Sequence, residues 1–288
     1  MIPQPDGLLL VDKPAGITSH DAVDHVRRAI GVRKVGHAGT LDPMATGLLL
    51  MGVGRATRLL RFVGDLPKGY EGAAVLGVET DTLDADGAVV REDAEAAAAV
   101  TEEAVRVAMA VLVGESEQTP PAYSAVKVQG ERLYRSARRG EARAAPARTV
   151  RVDAFELTSF TPPAFTFHVR CSGGTYVRSL VRDVGAALGC GAHLSRLRRT
   201  SIGRFRARDG HPPDDPGPPL DPVVAVEHLP SVELNADEAL AASHGRILGP
   251  AGVEGPYRVH GPDGALVGIY HDDGPKAVPE LIMAVPVP

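Results

Sequence analysis

Apolar and polar positions alternate along the chain in two rhythms. Residues 7–12 form a short, mainly apolar run stopped by Pro14, which predicts a buried strand. Val23, Val26 and Ile30 then repeat at helical spacing; Thr18 or Ser19 can cap that helix and Gly31 can end it. The rhythm breaks over residues 34–47, a polar, glycine-rich stretch predicted as a loop. It resumes with a strand at 48–53, a helix at 55–62 and an alternating strand at 71–78. Residues 80–87 are rich in Asp and end in Asp-Gly, a hairpin turn signal. A helix over 101–113 carries Thr101 as its cap and Gly114 as its stop. Residues 122–140 are basic and predict a short strand followed by a helix. An antiparallel pair at 150–160 and 164–171, a helix at 174–188 and a strand at 193–202 follow. Residues 209–222 hold too much Pro, Asp and Gly for a regular element and predict a linker or long loop. Beyond them, strand-like pieces at 257–260, 265–270 and 280–285 alternate with Gly/Pro turns. The pattern predicts an α+β fold with a mixed, mainly antiparallel sheet and flanking helices. It divides into a large part over residues 1–230 and a small β-rich part over 231–288.

Charge changes this picture more than bulk composition does. The net charge of −5 argues against a nucleic-acid partner, but its distribution argues for one. Residues 122–206 hold 16 Lys and Arg against 5 Asp and Glu, whereas residues 67–121 hold 3 against 12. An excess of that size is either a phosphate-binding surface or a set of solvated faces balanced by neighbouring acids. The two cysteines, Cys171 and Cys190, form no metal-binding spacing and read as reduced thiols. No secretory leader or membrane-length apolar run is visible, which points to a cytoplasmic protein.

The candidate chemistry lies in residues 35–47, V-G-H-A-G-T-L-D-P-M-A-T-G, where a single carboxylate, Asp42, precedes Pro43. A loop aspartate is either a turn residue or a catalytic group displayed on a rigid backbone. Other aromatic and basic positions carry the same ambiguity. Tyr70 and Tyr176 can be core aromatics, His37 can bond its own loop, Arg178 can be a solvated helix residue and Leu197 a core residue. Residues 82–87 partly match a calcium loop, but the strands predicted on either side favour the hairpin. Gly52-Val-Gly54 lacks the third glycine of a dinucleotide fingerprint.

The segment G-H-A-G-T-L-D-P-M-A-T-G resembles the signature of the TruB family of pseudouridine synthases. Six further blocks fall in that family's order. They are Gly7 to Pro14, Lys68-Gly-Tyr70, Thr80 to Gly87, Pro121 to Lys127, Gly174-Thr-Tyr-Val-Arg178 and Leu197-Arg-Arg199. The resemblance implies a pseudouridine-synthase fold followed by a small C-terminal β-barrel of the PUA kind. It implies a synthase that isomerises uridine 55 in the T-loop of tRNA, without metal or cofactor and without an obligate protein partner, as a monomer. By resemblance Asp42 is the nucleophile, Tyr70 lies under the flipped base, and Tyr176 and Leu197 line the pocket. Arg178 pairs with Asp42 and keeps it ionised, His37 contacts the displaced RNA, and Lys13 and Asp84 support the site. The basic lobe over 122–147 is expected to close over RNA. An isomerisation of this kind needs a nucleophile beside the sugar, a proton carrier and a base drawn out of its stack, and these residue types supply those needs.

Overall fold

The computed structural model describes residues 6–124, 127–128, 131–133, 139, 141 and 145–283. Half of the lobe expected over 122–147, with most of the helix expected within 122–140, lies outside these residues. The chain opens with β1 (Gly7–Lys13) and α1 (Ser19–Ile30). Thr18 caps α1 reciprocally with Asp21, and Gly31 ends it at φ 66°, a conformation glycine adopts without a Cβ clash. The stretch expected to be all loop contains β2 (Val35–Ala38) and the start of β3 (Thr46–Val53). Beyond Lys34, only residues 39–45 of that stretch are irregular. Polar and glycine residues disguised β2, which is a strand because Val35–Ala38 pairs along the outer half of β3. The helix expected over 55–62 is a 3₁₀ turn, Gly54–Leu59, running into a single α-turn, α2 (Leu60–Val63).

β4 (Lys68–Leu76) leads to β5 (Val78–Thr80) and β6 (Val89–Glu92), which pair across the expected Asp-Gly hairpin. Two helices, α3 (Ala94–Ala98) and α4 (Glu102–Val111), precede β7 (Gly114–Gln118). A minimal pair, β8 (Lys127–Val128) and β9 (Glu131–Arg132), comes next. The long hairpin of β10 (Arg148–Thr161) and β11 (Ala164–Cys171) follows, then α5 (Val177–Ala187), β12 (Ala192–Ile202) and β13 (Phe205–Arg206). Gly174–Tyr176, expected to be helical, instead forms the turn that enters α5.

The main sheet runs β1-β3-β12-β4-β11-β10-β7, with β2 and β13 on its flanks. All its neighbours are antiparallel except β3 and β12, which meet in parallel at Arg198↔Thr46 and Arg199↔Gly47. Because β1 occupies one edge of β3 throughout, β2 and β12 share the other, one after the other. The irregular residues 39–45 emerge where that edge changes hands. Gly47 makes the crossing possible: at φ 102°, a Cβ there would sit 2.3 Å from the Arg199 carbonyl oxygen. Apolar side chains of α4, α5 and the sheet pack one face, and α1 packs on β1 and β3.

Residues 209–222 are not a free linker. Leu8 and Leu220 exchange both backbone hydrogen bonds, and His211 does the same work beside Leu10 and Asp12. The open edge of β1 needs donors and acceptors, and this irregular segment supplies them. The C-terminal part comprises β14 (Ser231–Glu233), α6 (Ala236–Ser243), β15 (Pro256–His260), β16 (Leu266–Asp273) and β17 (Lys276–Ile282). Its strands form a sheet in chain order. Among the described residues no pairing joins β14 to β17 to close a barrel. Ile269, Leu281 and Met283 enter the same apolar cluster as Leu8, Leu48, Leu59 and Val63, so this sheet shares a core with the main one. Arg55, Arg58 and Arg61 stitch the seam, donating to the carbonyls of Met283, Ile282 and Glu280. Among the described residues no helix is long and apolar enough to cross a membrane.

Candidate active site

Residues 39–45 are held rigid by groups from three directions. The Ser19 hydroxyl, at the start of α1, donates to the Leu41 carbonyl and accepts from the Leu41 amide at 2.8 Å. Lys13, fully buried at the end of β1, points its ammonium at the carbonyls of Pro14, Ile17 and Pro43. Arg199, on β12, donates to the carbonyl of Gly39 at 3.0 Å and to that of Leu48 at 2.7 Å. The Asp42 side chain therefore stands on a backbone fixed on both sides, at the floor of a pocket of about 220 Å³.

Arg178 reaches the same floor from the first turn of α5. A cation there faces the positive end of the helix dipole, and this one is almost completely buried. Two carboxylates offset it. Asp42 Oδ1 accepts from Arg178 Nη2 at 3.1 Å, while Oδ2 faces Nε at 3.0 Å as an ion-pair contact outside hydrogen-bond geometry. Asp84 Oδ2 lies 3.2 Å from Nη1. Nη1 and Nη2 also donate to the carbonyls of Thr82 and Tyr123. Asp84 is fixed in turn: its Oδ1 accepts from the Thr82 hydroxyl at 2.6 Å and from the Asp86 amide. The Asp-rich turn thus spends its acceptors on its own backbone and on Arg178.

Arg178 favours the ionised form of Asp42, but burial works against it. About a third of the Asp42 side chain is open to the pocket, but protein walls the other sides. Burial pushes its carboxyl above the usual range; Arg178 is the largest opposing influence, and the nearby Asp84 charge reinforces the rise. The pairing is real, but it reduces the shift without reversing it. Burial likewise pushes the Lys13 ammonium down to about 8, with Asp42 the chief influence in the other direction.

Tyr70, Tyr176, Arg178 and Leu197 all line the pocket above Asp42, so five residues distant in sequence converge on one cavity. Asp84 and Lys13 stand behind it, supporting Arg178 and the loop. His37 is not among the lining residues. It sits on β2 opposite Met51; among the described residues its buried Nδ1 has no hydrogen-bond partner, and burial pushes its imidazole down. Sequence reasoning missed several contributors. The Arg148 guanidinium stacks on the Tyr176 ring at 4.6 Å. Gln118 clasps Tyr176 by donating to its carbonyl and accepting from its amide. Lys68 and Arg199 also line the cavity. Lys68 and Arg199 lay in motif blocks already singled out. Ser19, Gln118 and Arg148 carry no local signal.

The fold built around this pocket is that of the pseudouridine synthases. A solved Cbf5-Nop10-Gar1 complex contains a chain that superposes with a TM-score of 0.71 at 26% identity, covering 98% of this chain and 85% of that one. The chain belongs to the TruB family. It matches the model described as TruB family pseudouridylate synthase (N terminal domain) over residues 27–177, and two TruB C-terminal models over 178–212 and 229–283. Similar relatives include the tRNA pseudouridine synthase B of Mycobacterium sp. (strain KMS), 44% identical over 97% of this chain and 96% of that protein. That of Leifsonia xyli subsp. xyli is 46% identical over 94% of each chain. The molecule is an isomerase.

Proposed function

We propose that this enzyme converts uridine 55 in the T-loop of tRNA to pseudouridine, with Asp42 as its nucleophile and the target base flipped into the pocket. The tRNA substrate is the one named for relatives that match it along nearly their whole length. The observation that carries the reading is the set of groups converging on one cavity: a carboxylate on a rigid loop, braced by a buried arginine, beneath two tyrosines. Asp42 attacks the target nucleotide as the C–N glycosidic bond breaks. The base turns over, and C5 bonds to C1′. The electron pair left on the base when the C–N bond broke makes that new bond; C5 then loses a proton and N1 gains one, so no net proton, electron or cofactor is consumed. Tyr70 stacks under the base and carries that proton. Tyr176 and Leu197 wall the pocket, Arg178 orients Asp42, and His37 meets the displaced RNA outside the cavity. Lys13 and Asp84 hold the frame. Residues 1–230 are the catalytic part, and 231–288 a PUA-like part that shares its core. The protein acts as a monomer in the cytoplasm.

Purified protein incubated with unmodified tRNA, followed by mapping of pseudouridine, tests this reading. Product at the T-loop uridine without any added RNA supports it. Product only when a guide RNA is supplied, or only in another RNA, overturns the substrate assignment.

A further inference from the structure

Arg199 is nearly the most deeply buried cation of the pocket, 1% exposed, and among the described residues it is paired with no carboxylate. Arg178 beside it has two. Arg199 Nε and Nη2 are taken by the carbonyls of Leu48 and Gly39. Its cross-strand partner in the β12–β4 register is Tyr70, so both side chains stand on the same face and line the same cavity. Lys68, two residues before Tyr70 on that face, is a second buried cation, and its ammonium is spent on the carbonyls of Gly64 and Leu66. Burial first, and then repulsion from Arg199, pushes Lys68 down to about 8. Two buried cations without a paired carboxylate are expensive, and the Tyr70 phenol, cross-strand from Arg199, is a group there that can take up negative charge during the reaction.

We infer that Arg199 is a positioning residue for Tyr70: it aims the hydroxyl at the base and stabilises the phenolate formed when Tyr70 passes its proton to the uracil. The inference rests on the proton-carrying role proposed for Tyr70. Once C5 is bonded to C1′ and N1 is doubly bonded to C6, Tyr70 gives its O–H proton to N1 and becomes a phenolate beside Arg199. The phenolate then takes the C5 proton as the C–H electron pair returns to the ring, restoring the phenol. The charged or titratable groups facing Tyr70 are Arg199 from β12, Cys171 from β11, Asp42 from the loop and Lys68 on its own strand. Burial pushes the phenol up, and of these neighbours Arg199 pulls hardest the other way.

The test is a double-mutant cycle on single-turnover pseudouridine formation, with saturating enzyme and unmodified tRNA. Tyr70→Phe is read first. A native rate for it removes the proposed role of Tyr70 and this inference with it. If Tyr70→Phe is slow, Arg199→Gln should lower the rate roughly 10- to 100-fold in the native background. In the Tyr70→Phe background it should change the rate less than about twofold. Arg199→Lys, which keeps the charge, should recover part of the loss. So should 3,5-difluorotyrosine at position 70 of the Arg199→Gln protein, because its phenol ionises more readily. Equal losses in both backgrounds would mean that Arg199 only ties β12 to the loop, and the inference fails while the Tyr70 reading stands. A readout in the unsubstituted protein covers the case where Arg199→Gln does not fold. The guanidinium ¹⁵N resonances of Arg199 should shift as Tyr70 ionises in an alkaline titration and should not shift in Tyr70→Phe. Unresponsive resonances overturn the inference.

Discussion

The floor of the pocket and the C-terminal sheet are built on opposite terms. The C-terminal sheet follows ordinary rules: Val259, Val267, Tyr257 and Tyr270 are buried together. Its polar atoms find neutral or exposed partners, as where the Tyr270 hydroxyl donates to the Arg246 carbonyl at 3.0 Å. The pocket floor breaks those rules. Lys13, Lys68, Arg178, Arg199 and Asp84 are all buried around it, within the same polypeptide and against the same kind of apolar core. Buried charge is costly, and burial there shifts Lys13, Lys68 and Asp42 toward their neutral forms. Such an assembly adds little to stability and a great deal to positioning. The contrast locates function by energetic exception, independently of any motif.

The contrast is broken most directly at Asp42. Asp42→Asn keeps the shape and most loop contacts and removes the charge. Single-turnover product should fall to background while tRNA binding, measured by filter retention, holds. Appreciable product from this variant would remove the nucleophile. The next largest effect belongs to Tyr70→Phe, which keeps the ring. Binding should persist, and the rate should drop about a hundredfold in the same assay.

pH sharpens the contrast. Asp42 must be ionised to react, and its carboxyl lies above the usual carboxylate range. The rate should therefore be lost as pH falls through that raised value, earlier than the roughly pH 4 of an ordinary aspartate. Stability moves the other way in that window. The folded state holds the proton more tightly than the unfolded state, so this group's contribution to stability weakens as pH rises. Arg178→Met should move the acid limb of the rate profile further up, so that activity is partly regained at higher pH. Asp42→Asn should not be rescued at any pH. A limb that stays in place in Arg178→Met would deny the electrostatic coupling.

The smallest effect on chemistry is expected on the other side of the comparison. Ile269 is fully buried in the cluster shared by the two sheets. Ile269→Ala should cost about 2–5 kcal/mol of stability and lower a single thermal transition, with the single-turnover rate unchanged below that transition. Two separated transitions would mean that the C-terminal sheet unfolds alone and that the shared cluster does not couple the parts.

Much of the fold was legible because its elements are locally decided. The capping pair Thr18 and Asp21, the stop at Gly31 and the alternation of β4 each reside within a dozen residues. The helix Ala236–Ser243 was legible too and was overlooked: Asn235 and Glu238 form a capping box at the standard spacing. Strand β2 was not legible, because His37 and Gly36 give no strand pattern and only pairing with β3 makes them one. The same holds for residues 209–222, whose composition describes a loop and whose role is to complete the edge of β1.

By itself the sequence determined which residue types were available and in what order: one carboxylate on a glycine-rich loop, tyrosines at positions 70 and 176, and arginines at 178 and 199. Tertiary structure alone decided which of them meet and in which direction their pKa values move. Arg178 reaches Asp42 across 136 positions of chain, and Arg199 stands opposite Tyr70 only because β12 pairs with β4 in one register. The physical reason is that hydrogen-bond caps and periodicity are local, whereas burial and charge pairing depend on everything packed around a group. A carboxylate's identity is written in one residue, but its pKa is set by its surroundings.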